Sequence, residues 1–180
     1  INWDRIKKRA NLAIRFLDNV VEMNKYPVKE IEEVTKANRR VGLGVMGWAD
    51  MLIRLGISYC SEESLELAER VMSFIDSEAK KASHQLAEER GAFKNFKGSI
   101  YDKPGHPTMR NSTVTTIAPT GTIGIIAGCS QGIEPLFALA YIRKTGLSGN
   151  IGDVQLTEAN DDFVRVAKER GFYSEELMKK

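Results

Sequence analysis

The stretch of this 180-residue chain with the most chemical content is Asn111 to Pro135, NSTVTTIAPTGTIGIIAGCSQGIEP. A β-branched run leads to Pro119, whose ring fixes φ, and Thr120, Gly121, Thr122 and Ile123 then open a helix or tight turn. The first N–H groups of such a turn have no intrahelical acceptor and carry the positive end of the peptide dipoles. Gly121 lets a ligand approach the backbone closely, and a threonine hydroxyl stands on each side of it. Phosphate oxygens can be met there by several hydrogen bonds without a lysine. A GK[ST] phosphate loop is excluded, because Thr122 stands where its lysine would be. The same residues also read as a plain strand-to-helix connection with Thr120 as N-cap, and the local pattern leaves both readings open.

Other residues with chemical potential fall away. Gly42, Gly44 and Gly47 match GxGxxG, but a dinucleotide site needs a buried strand before the glycines, and EVTKANRR precedes them. They read instead as a closely packed helix–helix corner. His84 lies on the polar flank of a long helix and His106 in a Pro-bracketed loop, so neither has a partner cluster. Cys60 and Cys129 are not part of a CxxC or Cys/His set, and neither has a neighbouring His or Lys to activate it. Asn111-Ser-Thr113 is a formal glycosylation sequon that carries no meaning without a secretory route.

The elements that must position the turn follow from periodicity. Trp3, Ile6, Ala10, Ala13, Ile14, Leu17, Val20 and Val21 predict an amphipathic first helix. PVKEIEEVTKANRR predicts a second, with Val28, Ile31 and Val34 inward, and Leu43, Met46, Met51, Leu52 and Leu55 a third that stops at Gly56. Leu65, Ala68, Met72, Ile75, Ala79, Ala82 and Leu86 form the stripe of a long fourth helix ending at Gly91. A loop over 92–110 leads to a strand, STVTTIAP, then the glycine-rich turn, a second strand, ALAYIRKT, and a tail with a helix capped at Thr157. The expectation is thus one helix-rich α/β segment: helices over 1–91, the loop, strand–turn–strand over 111–145, and loop and helices over 146–180. Five or six helices and two or three strands are expected. Two strands alone are marginal in water, so the segment should belong to something larger.

Composition is that of an ordinary globular chain, with 42% hydrophobic and 28% charged residues. The 26 Lys and Arg against 24 Asp and Glu leave a net charge of +2, too balanced for the electrostatic footprint of a nucleic-acid binder. No leader or membrane span is apparent, and a soluble cytoplasmic chain is expected.

RNSTVTTIAPTGTIGIIAGCSQGIEPLFALAYIRK, taken with RRVGLGVMGWADMLIRLGI upstream, resembles the large catalytic subunit of ribonucleotide reductases. PTGT and GIEP are more similar to the adenosylcobalamin-dependent class than to the di-iron class. The resemblance runs from the first helix through YIRK, with little from the tail after Gly146. It implies a piece of a ten-stranded α/β barrel, with STVTTIAP and ALAYIRKT as inner strands. It also implies that Thr120, Gly121, Thr122 and Ile123 hold the substrate diphosphate, supported by Asn111, Pro119, Gly132 and Glu134, with Glu134 favoured as a structural carboxylate. Implied further are an oxidoreductase of deoxyribonucleotide synthesis for DNA replication, adenosylcobalamin as cofactor, a ribonucleoside di- or triphosphate as substrate, and the rest of the reductase chain, with a possible homodimer, as partners. The family's Asn-x-Cys-x-Glu radical loop and its redox cysteines have no counterpart here, so no catalytic residue is carried over, and a fragment inactive alone is expected. The rivals are a non-catalytic nucleotide- or phosphate-binding module and a helical scaffold in which the turn is merely a capped corner.

Overall fold

The computed structural model describes residues 1–145 and 154–179; the part of the expected loop at 146–153 lies outside them. Among the described residues there are six α-helices, two paired strands and a short 3-10 turn, Leu177–Lys179. They divide into two compact units, residues 1–45 with 62–119 and residues 46–61 with 120–180.

The first unit is built on α1 (Trp3–Met23) packed against α4 (Glu62–Arg90). Asn2 caps α1 by accepting the Arg5 N–H at 2.9 Å. Ile14 and Val21 from α1 meet Ala79, Ala82 and Leu86 from α4 in a core closed by Val41, Phe93, Met109 and Val114. The expected second helix is present as α2 (Lys29–Asn38), but Val28, Ile31 and Val34 are exposed rather than inward. Periodicity identifies an apolar stripe, and among the described residues nothing covers this one. Helix α2 ends at Arg39 in the left-handed conformation, φ 47°.

STVTTIAP is extended yet forms no regular strand; it makes one parallel bridge, Leu43 with Thr115. Val41 N–H donates to Thr113 O, Leu43 N–H to Val114 O and Thr116 N–H to Leu43 O. The GxGxxG string is therefore no helix–helix corner. Its first two glycines flank Leu43 in that bridge, and Thr116 lies against both: a Cβ on Gly42 would stand 2.7 Å from Thr116 Cγ2, and one on Gly44 3.0 Å from Thr116 O.

In the second unit, α3 (Trp48–Leu55) begins after the glycines, so Leu43 and Met46 fall outside the helix that their spacing predicts. Helix α5 (Gly121–Ala127) forms despite two glycines. Gly121 is its first residue, and a Cβ on Gly124 would sit only 3.3 Å from Cys129 O. The strand β1 (Ala140–Thr145) forms as expected and pairs antiparallel with β2 (Val154–Ala159), which the sequence reading missed. Thr157 lies in β2 and caps no helix; α6 (Asp161–Glu169) is capped by Asn160, which accepts the Phe163 N–H at 3.0 Å. The error is one of priority. Thr157, Asn160 and Asp161 all have cap chemistry, and only the strand pairing decides among them.

Candidate functional site

Thr120 starts α5 in the left-handed conformation, φ 50° and ψ 24°, a region that a β-branched residue avoids. A non-glycine residue held there costs on the order of 1–3 kcal/mol. It is held by its own side chain: Thr120 Oγ1 accepts the Gly132 N–H at 2.7 Å. The hydroxyl therefore does not cap α5. Gly124 N–H donates to Thr120 O at 2.7 Å, while the N–H groups of Gly121, Thr122 and Ile123 have no acceptor among the described residues. Three donors are left side by side at the positive end of a helix, with Thr122 and Ile123 exposed and Gly121 part-buried. A Cβ on Gly121 would meet nothing closer than Gln131 Oε1 at 3.8 Å, so the space over the turn is open.

The partner segment, 129–134, is tied down at nearly every residue. Cys129 N–H donates to Gly124 O, Gly47 N–H to Ser130 O and Trp48 N–H to Gly132 O. Tyr59 O–H donates to Ile133 O at 2.7 Å. Ser130 N–H donates to Asp50 Oδ2 at 2.6 Å, and Asp50 N–H reaches back to Ser130 Oγ at 3.4 Å. Asp50 is the third residue of α3, whose N-cap is Gly47 with no side chain to offer. The reciprocal pair is the geometry of a capping box whose serine comes from 80 residues away. The other Asp50 oxygen accepts from Asn160 Nδ2 at 3.0 Å, so one carboxylate joins α3, the 129–132 segment and the start of α6.

Asp50, Ser130 and Asn160 line a cavity of about 750 Å³ together with Arg54, Glu134 and Asp162. Arg54 Nε donates to Asp162 Oδ2 at 2.9 Å, and the guanidinium beside it holds the Asp162 carboxyl below the usual carboxylate range. Cys129 also lines the cavity; burial pushes its thiol up, and the Asp50 charge adds to that, so it stays protonated near neutral pH.

The sequence-expected residues separate accordingly. Thr120 to Ile123 and Gly132 are brought together, and Glu134 is part-buried on the cavity wall, with no side-chain partner among the described residues. Pro119 is exposed. Asn111 belongs to the first unit, fully buried: its Nδ2 donates to Asp18 Oδ1 and Arg39 O, and its amide oxygen accepts from Ser83 Oγ. Asp18 there also receives Arg39, Arg90 and Arg110. Burial pushes the Asp18 carboxyl up, but the Arg39 guanidinium, with Arg110 and Asn111, outweighs it and holds the carboxyl below its ordinary value. Sequence reasoning missed Asp50, Ser130 and Asn160. The available signal was half a capping box, an acidic third helical residue behind a glycine cap, with its other half far along the chain.

No helix among the described residues is long and apolar enough to cross a membrane. The family profile described as ribonucleotide reductase, barrel domain, matches residues 1–180. The chain is 55% identical over 179 residues to a vitamin B12-dependent ribonucleoside-diphosphate reductase of Thermoplasma acidophilum, an alignment spanning 99% of this chain and 22% of that protein. It is 47% identical to a vitamin B12-dependent ribonucleoside-diphosphate reductase of Mycobacterium tuberculosis, over 99% of this chain and 25% of the relative. It is 33% identical to a ribonucleoside-diphosphate reductase subunit alpha of Chlamydia pneumoniae, over 99% and 20%. The chain thus spans a quarter or less of the length of these relatives, and it belongs to the ribonucleotide reductase barrel-domain family.

Proposed function

We propose that this chain is the part of a ribonucleoside-diphosphate reductase catalytic chain that receives the substrate's diphosphate. The observation that carries the proposal is the pairing of a strained, side-chain-locked Thr120 with three unused N–H groups at Gly121, Thr122 and Ile123. A threonine that capped its own helix would consume one of those donors. Here the hydroxyl is spent on Gly132 instead, and the helix start is left facing outward for an anion. Phosphate oxygens on these donors are neutralised by backbone dipoles that are already in place, which fixes the nucleotide for chemistry performed by other groups. Relatives named diphosphate reductases support the diphosphate level.

The paired stretches 41–44 and 113–116 and the β1–β2 hairpin are, in this reading, parts of the ten-stranded barrel that the rest of the reductase chain completes. The radical and redox cysteines belong to that remainder, with which this segment reduces ribonucleotides to deoxyribonucleotides in the cytoplasm. Adenosylcobalamin supplies the radical chemistry when bound, and no residue of this segment is assigned to hold it.

The test is equilibrium binding to the full-length catalytic chain with Gly121→Ala. The new methyl fits without a clash but fills the space over the donors. Affinity for a ribonucleoside diphosphate should fall about tenfold, the scale of one lost charge-assisted hydrogen bond, while affinity for the bare nucleoside holds. Unchanged diphosphate affinity would sink the assignment.

A further inference from the structure

Gly132 N–H on the hydroxyl holds Thr120 in its strained conformation, so what places Gly132 also places the donors at Gly121, Thr122 and Ile123. Gly132 itself sits in a left-handed conformation, φ 46°, on a segment with no regular secondary structure. Its position is inherited from the bonds on either side. Two come from the backbone of α3, Gly47 N–H to Ser130 O and Trp48 N–H to Gly132 O, the second at a long 3.4 Å. The short one comes from a side chain, Asp50 Oδ2 to Ser130 N–H at 2.6 Å. Tyr59 O–H holds the other side of Gly132 through Ile133 O at 2.7 Å, and Asp50 is the tie that also reaches a third element. Its second oxygen is anchored by Asn160 Nδ2, whose own amide oxygen is committed to the first turn of α6. Asp50 therefore cannot swing without giving up its bond to Asn160.

We propose that Asp50 is a positioning residue for the diphosphate-binding turn: through Ser130 and Gly132 it locks Thr120 in the conformation that exposes the three donors. This rests on the diphosphate reading above and deepens it, because it names the residue that sets the turn's geometry without touching the ligand.

The structure supplies its own control. In Asp50→Asn the amide can still accept from Ser130 N–H, but its NH₂ then faces the NH₂ of Asn160, and the anchor fails. In the swap, Asp50→Asn with Asn160→Asp, the amide at position 50 donates to the carboxylate at position 160, whose other oxygen still caps Phe163. Both bonds return with the charge moved rather than lost.

In the full-length chain, Asp50→Asn should weaken ribonucleoside diphosphate binding about tenfold, raise KM with kcat nearly unchanged, and leave nucleoside affinity where it was. The swap should restore diphosphate affinity to within about threefold of native. Asp50→Asn with native diphosphate affinity overturns the proposal, as does a loss that the swap fails to repair, since a charge at position 50 rather than geometry would then be at work. Equal loss for diphosphate and nucleoside also overturns it, because that is general misfolding. Gly121→Ala separates the two ideas: if it weakens diphosphate binding while Asp50→Asn does not, only the positioning role fails, and if it is silent, the diphosphate site itself is wrong.

Discussion

Asp18 and Asp50 each join distant stretches of chain, four and three of them, and they do so with opposite chemistry. Asp18, in the first unit, is fully buried and bound by three arginines and an asparagine. Asp50, in the second, has only neutral hydrogen-bond donors, two backbone or amide N–H groups, and it lines an open cavity. The first arrangement sets a permanent scaffold, since a buried carboxylate among guanidiniums has no cheap alternative state. The second sets a conformation with no charge spent on charge, beside space that a ligand can enter. The glycines repeat the contrast: Gly42 is closed over by Thr116, whereas Gly121 faces nothing within 3.8 Å.

The sharpest way to break the comparison is Asp18→Ala. It leaves the buried Arg39 with only the exposed Glu22 as ionic partner and should cost about 3–5 kcal/mol of stability in chemical denaturation. A loss below about 1 kcal/mol, as for a surface pair, would erase the distinction between the two carboxylates. Acid should report the same network. Because the folded Asp18 carboxyl lies below its ordinary value, its contribution is complete above the unfolded value of about 4 and is lost as pH falls through the lower folded value. Stability measured from pH 6 downward should therefore decline in that range, and the decline should be shallower in Asp18→Asn.

Gly42→Ala comes next, at about 1–3 kcal/mol, because the new methyl overlaps Thr116 and the core must shift. Gly121→Ala has the smallest effect on stability and the opposite sign. It adds no clash and lowers the entropy of the unfolded chain, so thermal unfolding should show a gain of about 0.4–1 kcal/mol even as diphosphate binding weakens. A destabilised Gly121→Ala would mean that the turn is packed like Gly42, and the contrast would vanish.

What could be read from the chain alone followed local physics. The ends of α4 at Glu62 and Arg90 and the presence of β1 come from patterns a few residues long. So does the chemistry of Thr120 to Ile123, although its use as an open helix start depends on Gly132, twelve residues on. The failures share one cause, which is distance along the chain. Val28, Ile31 and Val34 have the spacing of a buried face but no partner among the described residues, and Thr157 has the chemistry of a cap but is claimed by a strand pairing with Ile142. Asp50 carries no local signal of its role, because Ser130 and Asn160, which give it meaning, are 80 and 110 positions away.

The contact between Gly42 and Thr116 also constrains how such a sequence can change over time. With Cγ2 and Cβ of Thr116 at 2.7 and 2.8 Å from where a side chain at 42 would begin, a Cβ at both positions forces the core to shift. Exchanging Gly42 for alanine is cheapest after position 116 has become glycine, so the two substitutions have a favoured order. Positions 42 and 116 should therefore drift as a pair, and the glycine spacing that mimics a nucleotide fingerprint persists for as long as threonine stands opposite it.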